Sequence, residues 1–314
     1  MTHTYSKRKK GRKPSAPKSL VTIFFLFIVL LLSTTLSDTV SKYTKQGLEI
    51  CFYSVIGSVF PFMILTDLFI PFTDFYSFKR LRHLFERLFS VNGRGISAFI
   101  AGIVCGFPMG IKVAKDLYSD GIISRDECER LIGFSTAPSP AFIISAVGLG
   151  MRKSAKEGLI IYLCTVLSLI TAGVIFGIGC KASASKRTVS TPRFNLTVSI
   201  NQAASNTVFI CGIITLFSVL IGLMREFLDD RVLYFLVPCL EISTAASFLA
   251  KMSNQALSIA LTGFSAAFSG ISVLLQGKHL LSGTDVSCVT YIKMKLFAGG
   301  LCAAVSSAAL SILK

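Results

Sequence analysis

The sequence predicts an all-α polytopic membrane protein with about 6–8 transmembrane helices and two re-entrant or discontinuous hairpins in a repeated architecture. Three observations carry that prediction. Of 314 residues, 52% are hydrophobic and only 15% charged, against about 25% charged in soluble domains, whose surface must face water. The apolar residues come in long blocks: 20–36, 50–66, 158–180 and 203–224 hold no charged side chain, and a spanning helix needs roughly 20 mostly apolar residues. Other apolar blocks are interrupted by glycine and proline, and broken backbone at membrane depth is tolerated only against protein or a wet cavity.

Taken in order, residues 1–19 form a basic tail, with Lys7, Arg8, Lys9, Lys10, Arg12, Lys13 and Lys18 and no acid among them. It reads as a disordered cytoplasmic segment that sets topology, and its charge also suits anionic headgroups. Residues 20–37 read as a first transmembrane helix. A signal peptide is the competing reading, but the apolar run is long for one and further membrane segments follow.

A first half is expected over 47–180. It opens with a span at 47–72 containing Pro61 and Pro71. The connection that follows carries Lys79, Arg80, Arg82, Arg87 and Arg94, which marks it as cytoplasmic and places the N-terminus on the same side. Leu81, Leu84, Phe85 and Leu88 recur there at helical spacing, as in an amphipathic surface helix.

Residues 95–112 are expected to be re-entrant: the apolar stretch is short for a span and carries Gly95, Gly102, Gly106, Pro108 and Gly110. Pro138 and Pro140 then break 131–151, because each removes a helical donor and disfavours helix just before it. A basic cytoplasmic loop is expected over 181–200. A second half, 201–314, contains apolar runs at 203–224, 232–250, 256–275 and 294–313, with a second re-entrant segment at 254–276. A weak repeat aligns Gly102-Ile-Val-Cys-Gly-Phe-Pro with Gly263-Phe-Ser-Ala-Ala-Phe-Ser, and paired interruptions in two halves point to a transporter site.

Several function classes are excluded. The net charge of +16 sits in the tail and short connections rather than on a folded basic face, so no nucleic-acid partner is expected. The nine cysteines form no CxxC pair, and His3, His83 and His279 lie far apart, so neither metal nor cofactor is expected. No nucleophile–base pairing or phosphate-binding loop is present, and an enzyme is the least supported class.

The candidate chemistry lies at the interruptions. Phe107, Pro108, Met109, Gly110 and Lys112 could combine freed amides with an ammonium, although Lys112 equally suits snorkelling from a hairpin end. Ser135 and Ser139 offer hydroxyls at the proline break. Glu241, beside Ser243 and Thr244 within an apolar run, is costly at depth and points to a cavity or a partner. Ser269, Ser272 and Gln276 complete the substrate-binding set; a structural hydrogen bond to another broken helix is the alternative for Glu241 and Gln276.

These same segments resemble a known family. Gly106-Phe-Pro-Met-Gly-Ile-Lys112, Gly121-Ile-Ile-Ser with Glu127 and Arg130-Leu131, Ser135-Thr-Ala-Pro-Ser-Pro-Ala-Phe142 and Gly148-Leu-Gly150 are similar to the YlbJ-like sporulation integral membrane proteins. Those belong with nucleoside-recognition or Gate-domain proteins, related to concentrative nucleoside transporters. Leu240-Glu241-Ile-Ser-Thr and Phe268-Ser-Gly-Ile-Ser-Val-Leu-Leu-Gln276 resemble the family's second region, so the likeness extends over about residues 50–313. Ile111 stands where Ala is more usual, and Ser269 where Gly is.

The resemblance implies a repeated Gate-type architecture around a midplane site, in the bacterial cell membrane around the forespore. The implied role is moving a small anionic solute, dipicolinic acid, toward the forespore. Alternatives are a non-transporting scaffold among other sporulation membrane proteins, or a transporter of a nucleoside-like solute. The lipid bilayer is the expected partner, and homo-oligomerisation is left open.

Overall fold

A computed structural model of the chain describes residues 16–69, 78–183 and 195–313. The tail 1–15, Pro71 and the loop's Lys186, Arg187 and Arg193 lie outside the described residues. All regular structure among those described is helical.

The first helices, α1 (Ala16–Thr35), α2 (Ser37–Ile50) and α3 (Gly57–Phe69), follow one another closely, with a π-helical turn at Cys51–Ile56 between the last two. The helical run containing the expected span at 47–72 therefore starts earlier, at Ser37. The basic connection forms α4 (Lys79–Phe89). Its apolar residues divide: Phe85 packs inward beside Phe89, while Leu81, Leu84 and Leu88 stay exposed. One side of α4 thus builds the core and another is available to lipid.

Next come α5 (Ile96–Cys105), α6 (Phe107–Ser119), α7 (Arg125–Ser135), a π-helical stretch at Ala141–Met151, and α8 (Ala155–Gly177). The chain continues with α9 (Leu196–Arg225), α10 (Asp230–Leu240), α11 (Ile242–Leu249), α12 (Gln255–Phe268), α13 (Gly270–Leu280) and α14 (Val289–Leu313).

Four stretches among the described residues are long and apolar enough to cross a bilayer: α8, α9, α12 with α13, and most of α14. A fifth candidate joins α4 to the segment Gly93–Cys105, bent by 97°. Glycine, proline and Glu241 cut other apolar runs into helices of 8 to 13 residues, and the apolar α1 of 20 residues stands outside this count.

The bundle is apolar on its outside, and its apolar interior also holds buried polar groups. On α8, Leu159, Leu163 and Leu167 are exposed in a stripe of spacing four, while Thr165 and Ser168 are buried. On α14, Leu296 and Phe297 are exposed while Lys295 is completely buried. Water could not sustain such a distribution at large scale, whereas hydrocarbon favours it. The central packing joins α8, α12 and α14, where the Thr165 hydroxyl meets Cys302 Sγ at 3.6 Å.

Two units of similar construction flank this core. In the first, α5 and α6 fold back on each other about Gly106, whose φ of 99° suits glycine. Gly102 and Gly110, four residues either side of that tip, face each other, and a Cβ on either would strike the Ser135 carbonyl. The C-terminus of α7 is therefore wedged into the α5–α6 hairpin, and α7 then breaks at 136–140 before the π-helical stretch.

In the second unit α10 packs on α11 about Glu241, and α12 breaks at Ser269–Gly270 before α13. The expected fold-back at 254–276 is thus replaced by a 26-residue run, interrupted but continuing as one candidate span. The fold-back of this half lies at 230–249 instead. Accordingly, the repeat pairs Gly106 with Glu241 rather than with the Phe268–Ser269 region, because short runs of small residues align in more than one register.

Glu127 anchors the first unit at its polar end. It forms a capping box with Ser124 at the start of α7, and its carboxylate also accepts the backbone N–H groups of Asn92 and Ser183, each at 2.8 Å. Burial opposes its charge, but these amides outweigh that and hold its carboxyl below the usual carboxylate range.

Candidate solute site

The two units meet at a cavity. Gly106, Phe107 and Pro108 from the first hairpin tip face Glu241, Ile242 and Ser243 from the second. The two broken helices contribute Ser139 and Phe142 on one side and Val273 and Gln276 on the other, while Ile210 and Ile214 of α9 close the space. The cavity itself is about 60 Å³ and opens into about 540 Å³ of atom-free space that includes its mouth. It is small, but its mostly apolar walls with few polar groups are of the kind found in small-molecule sites.

Each tip abuts the break in its own unit. Ser139 lies against Gly106, where an added Cβ would come within 3.2 Å of it. Gly270, at φ 81°, is pressed against the Leu240 carbonyl. Consequently, the starts of α6, α11, α13 and the π-helical stretch converge on one region. Helix starts carry unpaired amides and positive dipole ends.

Two of the four starts are satisfied from within. Glu241 caps α11, accepting the N–H groups of Ser243 at 2.9 Å and Thr244 at 2.6 Å, and it is about 1% exposed. At the π-helical stretch, the Phe142 N–H donates to the Ser139 hydroxyl at 3.2 Å. No side chain caps α6 or α13. The site thus presents one fixed carboxylate, two helix starts without side-chain caps, and aromatic and aliphatic walls.

Of the residues singled out from sequence, Phe107, Pro108, Ser139, Glu241, Ser243 and Gln276 line this cavity. The others do not. Met109 is buried in the core, and Gly110 holds the α7 terminus. Lys112 lies in the second turn of α6, away from the cavity lining. Ser135, Thr244, Ser269 and Ser272 are buried, with hydroxyl oxygens that find no partner among the described residues. They sit at or beside the breaks, where the polar backbone is concentrated.

The sequence reading missed the α9 wall, because Ile210 and Ile214 look like any spanning residues. It also missed Lys295. That ammonium donates to the Thr136 carbonyl at 2.5 Å and lies 5.9 Å from the ring centres of both Phe107 and Tyr291. Thr136 stands four residues before Pro140, so its carbonyl is the one a continuous helix would pair with the N–H that proline lacks. Lys295 supplies the missing donor from another helix. A lysine one turn into an apolar run (Val289–Leu313) reads as a headgroup anchor; the available signal was its separation from Lys293 by one residue, which puts the two on different faces.

Among curated proteins, the chain is similar to the sporulation integral membrane protein YlbJ of Bacillus subtilis (strain 168), at 26% identity over 89% of this chain and 79% of that protein. No family model matches the chain, and no solved structure matches it.

Proposed function

We propose that this YlbJ-like integral membrane protein is a transporter or facilitator for a small carboxylate-bearing solute, and that in a sporulating cell the solute is dipicolinic acid moving toward the forespore. The proposed location is the outer forespore membrane, with the N-terminus in the cytoplasm. The observation that carries the reading is the cavity between two hairpin tips and two broken helices, since a purely structural bundle gains nothing from interrupting four buried helices around an opening.

Aromatic and aliphatic walls suit a planar ring, and the uncapped starts of α6 and α13 suit an anionic group. Glu241 adds a constraint. A solute carboxylate facing it would meet like charge, so the end of the solute nearest Glu241 presents an N–H or a protonated carboxyl as donor. Dipicolinic acid carried with one carboxyl protonated satisfies both ends.

Reconstitution of the full chain in liposomes tests this. Dipicolinate uptake above protein-free vesicles, reduced at least tenfold by Glu241→Gln, is the expected result. A chain that stays folded, takes up no dipicolinate, and supports normal spore dipicolinate content as Glu241→Gln would mark a scaffold. Uptake of nucleosides without dipicolinate would favour the nucleoside reading.

A further inference from the structure

Lys295 is an ionisable group where its structural task requires none. It is completely buried on a helix whose neighbouring Leu296 and Phe297 face outward, so it does not reach the headgroups from an outer face. Its ammonium makes one hydrogen bond, to Thr136, and no described carboxylate pairs with it. Its other N–H donors have no hydrogen-bond partner among the described residues, and the rings of Phe107 and Tyr291 lie nearby. A neutral amide could satisfy the Thr136 carbonyl without the desolvation of an unpaired cation, which costs several kcal/mol in a buried site. A buried ionisable side chain without a carboxylate partner marks a functional position.

Two further observations give the charge a direction. Phe107 borders both environments: it lines the cavity and its ring lies 5.9 Å from Lys295 Nζ. Tyr291, one helical turn before Lys295, is buried, and its hydroxyl has no partner among the described residues.

We infer that Lys295 is the cation that receives the solute's carboxylate, with Phe107 as the movable wall between the ammonium and the cavity and Tyr291 as a further hydrogen-bond donor. The inference rests on the transport reading above and deepens it. Rotation of the Phe107 ring would exchange a weak cation–π contact for a charge-assisted hydrogen bond, while Thr136 keeps the ammonium in place. Entry of the carboxylate favours the protonated amine, so binding and displacement of the wall are coupled.

The experiment compares dipicolinate with its neutral diamide, pyridine-2,6-dicarboxamide, by calorimetric titration of the purified full chain. Wild type is expected to prefer the dicarboxylate. Lys295→Gln keeps a donor for Thr136 and removes the charge; dicarboxylate affinity should fall at least tenfold with diamide affinity changed less than twofold, and Lys295→Arg should restore the preference. A Lys295→Gln protein with the wild-type preference ratio overturns the inference. Should that variant not fold, Phe107→Leu decides: the dicarboxylate preference should rise severalfold, and an unchanged ratio overturns the inference. Wild type that binds neither compound defeats the transport reading itself, and the assignment of Lys295 with it.

Discussion

The two hairpin units solve one problem with groups of opposite hydrogen-bonding character. Interrupting a helix inside hydrocarbon strands peptide groups, and each unit must satisfy them without water. In the first unit the stranded group is a carbonyl, Thr136, left by Pro140, and a cation from α14 answers it. In the second the stranded groups are amides, those of Ser243 and Thr244, and an anion from the same chain segment answers them. Carbonyls attract positive charge and amides attract negative charge, so the polarity of each break selects its partner. The result is a cavity bordered by a carboxylate at one tip and backed, behind the Phe107 ring, by an ammonium at the other. A symmetrical pair of breaks would have served packing equally well. The opposition is what gives the site an orientation for a solute carrying unlike ends.

The sharpest way to break the comparison is to fill the first hairpin. Gly110→Leu places a side chain against the Ser135 carbonyl and hydroxyl, and it is expected to cost more than about 4 kcal/mol. Size-exclusion chromatography of detergent extracts should show little monodisperse protein. Gly300→Ala, on the same scaffold where nothing approaches a Cβ, is the matched control and should behave as wild type.

Removing the anion of the second unit comes next. Glu241→Ala leaves two amides at the start of α11 without their acceptor and should lower stability by about 1–2 kcal/mol, read as a lower melting temperature in detergent. Glu241→Gln retains an acceptor and should lose less. Equal losses for the two variants would show that the cap is not what Glu241 contributes.

A gain is expected at the second break. Ser269 holds φ 79°, is completely buried, and its hydroxyl lacks a partner. Ser269→Gly removes left-handed strain at some cost in chain entropy and should stabilise by about 0.5–1 kcal/mol. A lower melting temperature would mean that the hydroxyl has a role the strain offsets.

The smallest effect is one of slope. Because the folded state holds the Glu127 carboxyl below its ordinary range, its contribution is fully present above the unfolded pKa near ~4.3 and is lost as pH falls through the folded value. Melting temperature followed downward from pH 6 should fall on acidification, and Glu127→Gln should flatten that limb. An identical acid limb in both proteins would remove Glu127 as its source.

How far the sequence reached can be seen at individual residues. Pro138 and Pro140 announced the break in 131–151, since proline acts locally whatever surrounds it. Glu241 announced itself by being charged in an apolar run, and it does line the cavity. The second fold-back was placed one element too late, at 254–276 instead of 230–249, because Gly and Ser at 263–270 look like a hairpin tip whereas Glu241 looks like a ligand; here the acid is itself the cap that lets the chain turn. Lys112 was picked out by its sequence neighbours, and Lys295, which has none of note, was not picked out at all. Lys112 stands next to a Gly-Pro motif yet lies off the cavity, while Lys295, with no motif near it, reaches the first break from a helix about 160 positions away in the chain.

By itself, the amino-acid sequence determined that this chain lives in lipid, that its helices are interrupted, and roughly where, because hydropathy, proline and glycine act on the chain within a few residues of themselves. Only the tertiary structure decided which breaks face one another, which wall α9 supplies, and that a buried lysine lies beside the Phe107 ring. Those facts depend on distances between segments far apart in the chain, and no local preference encodes them.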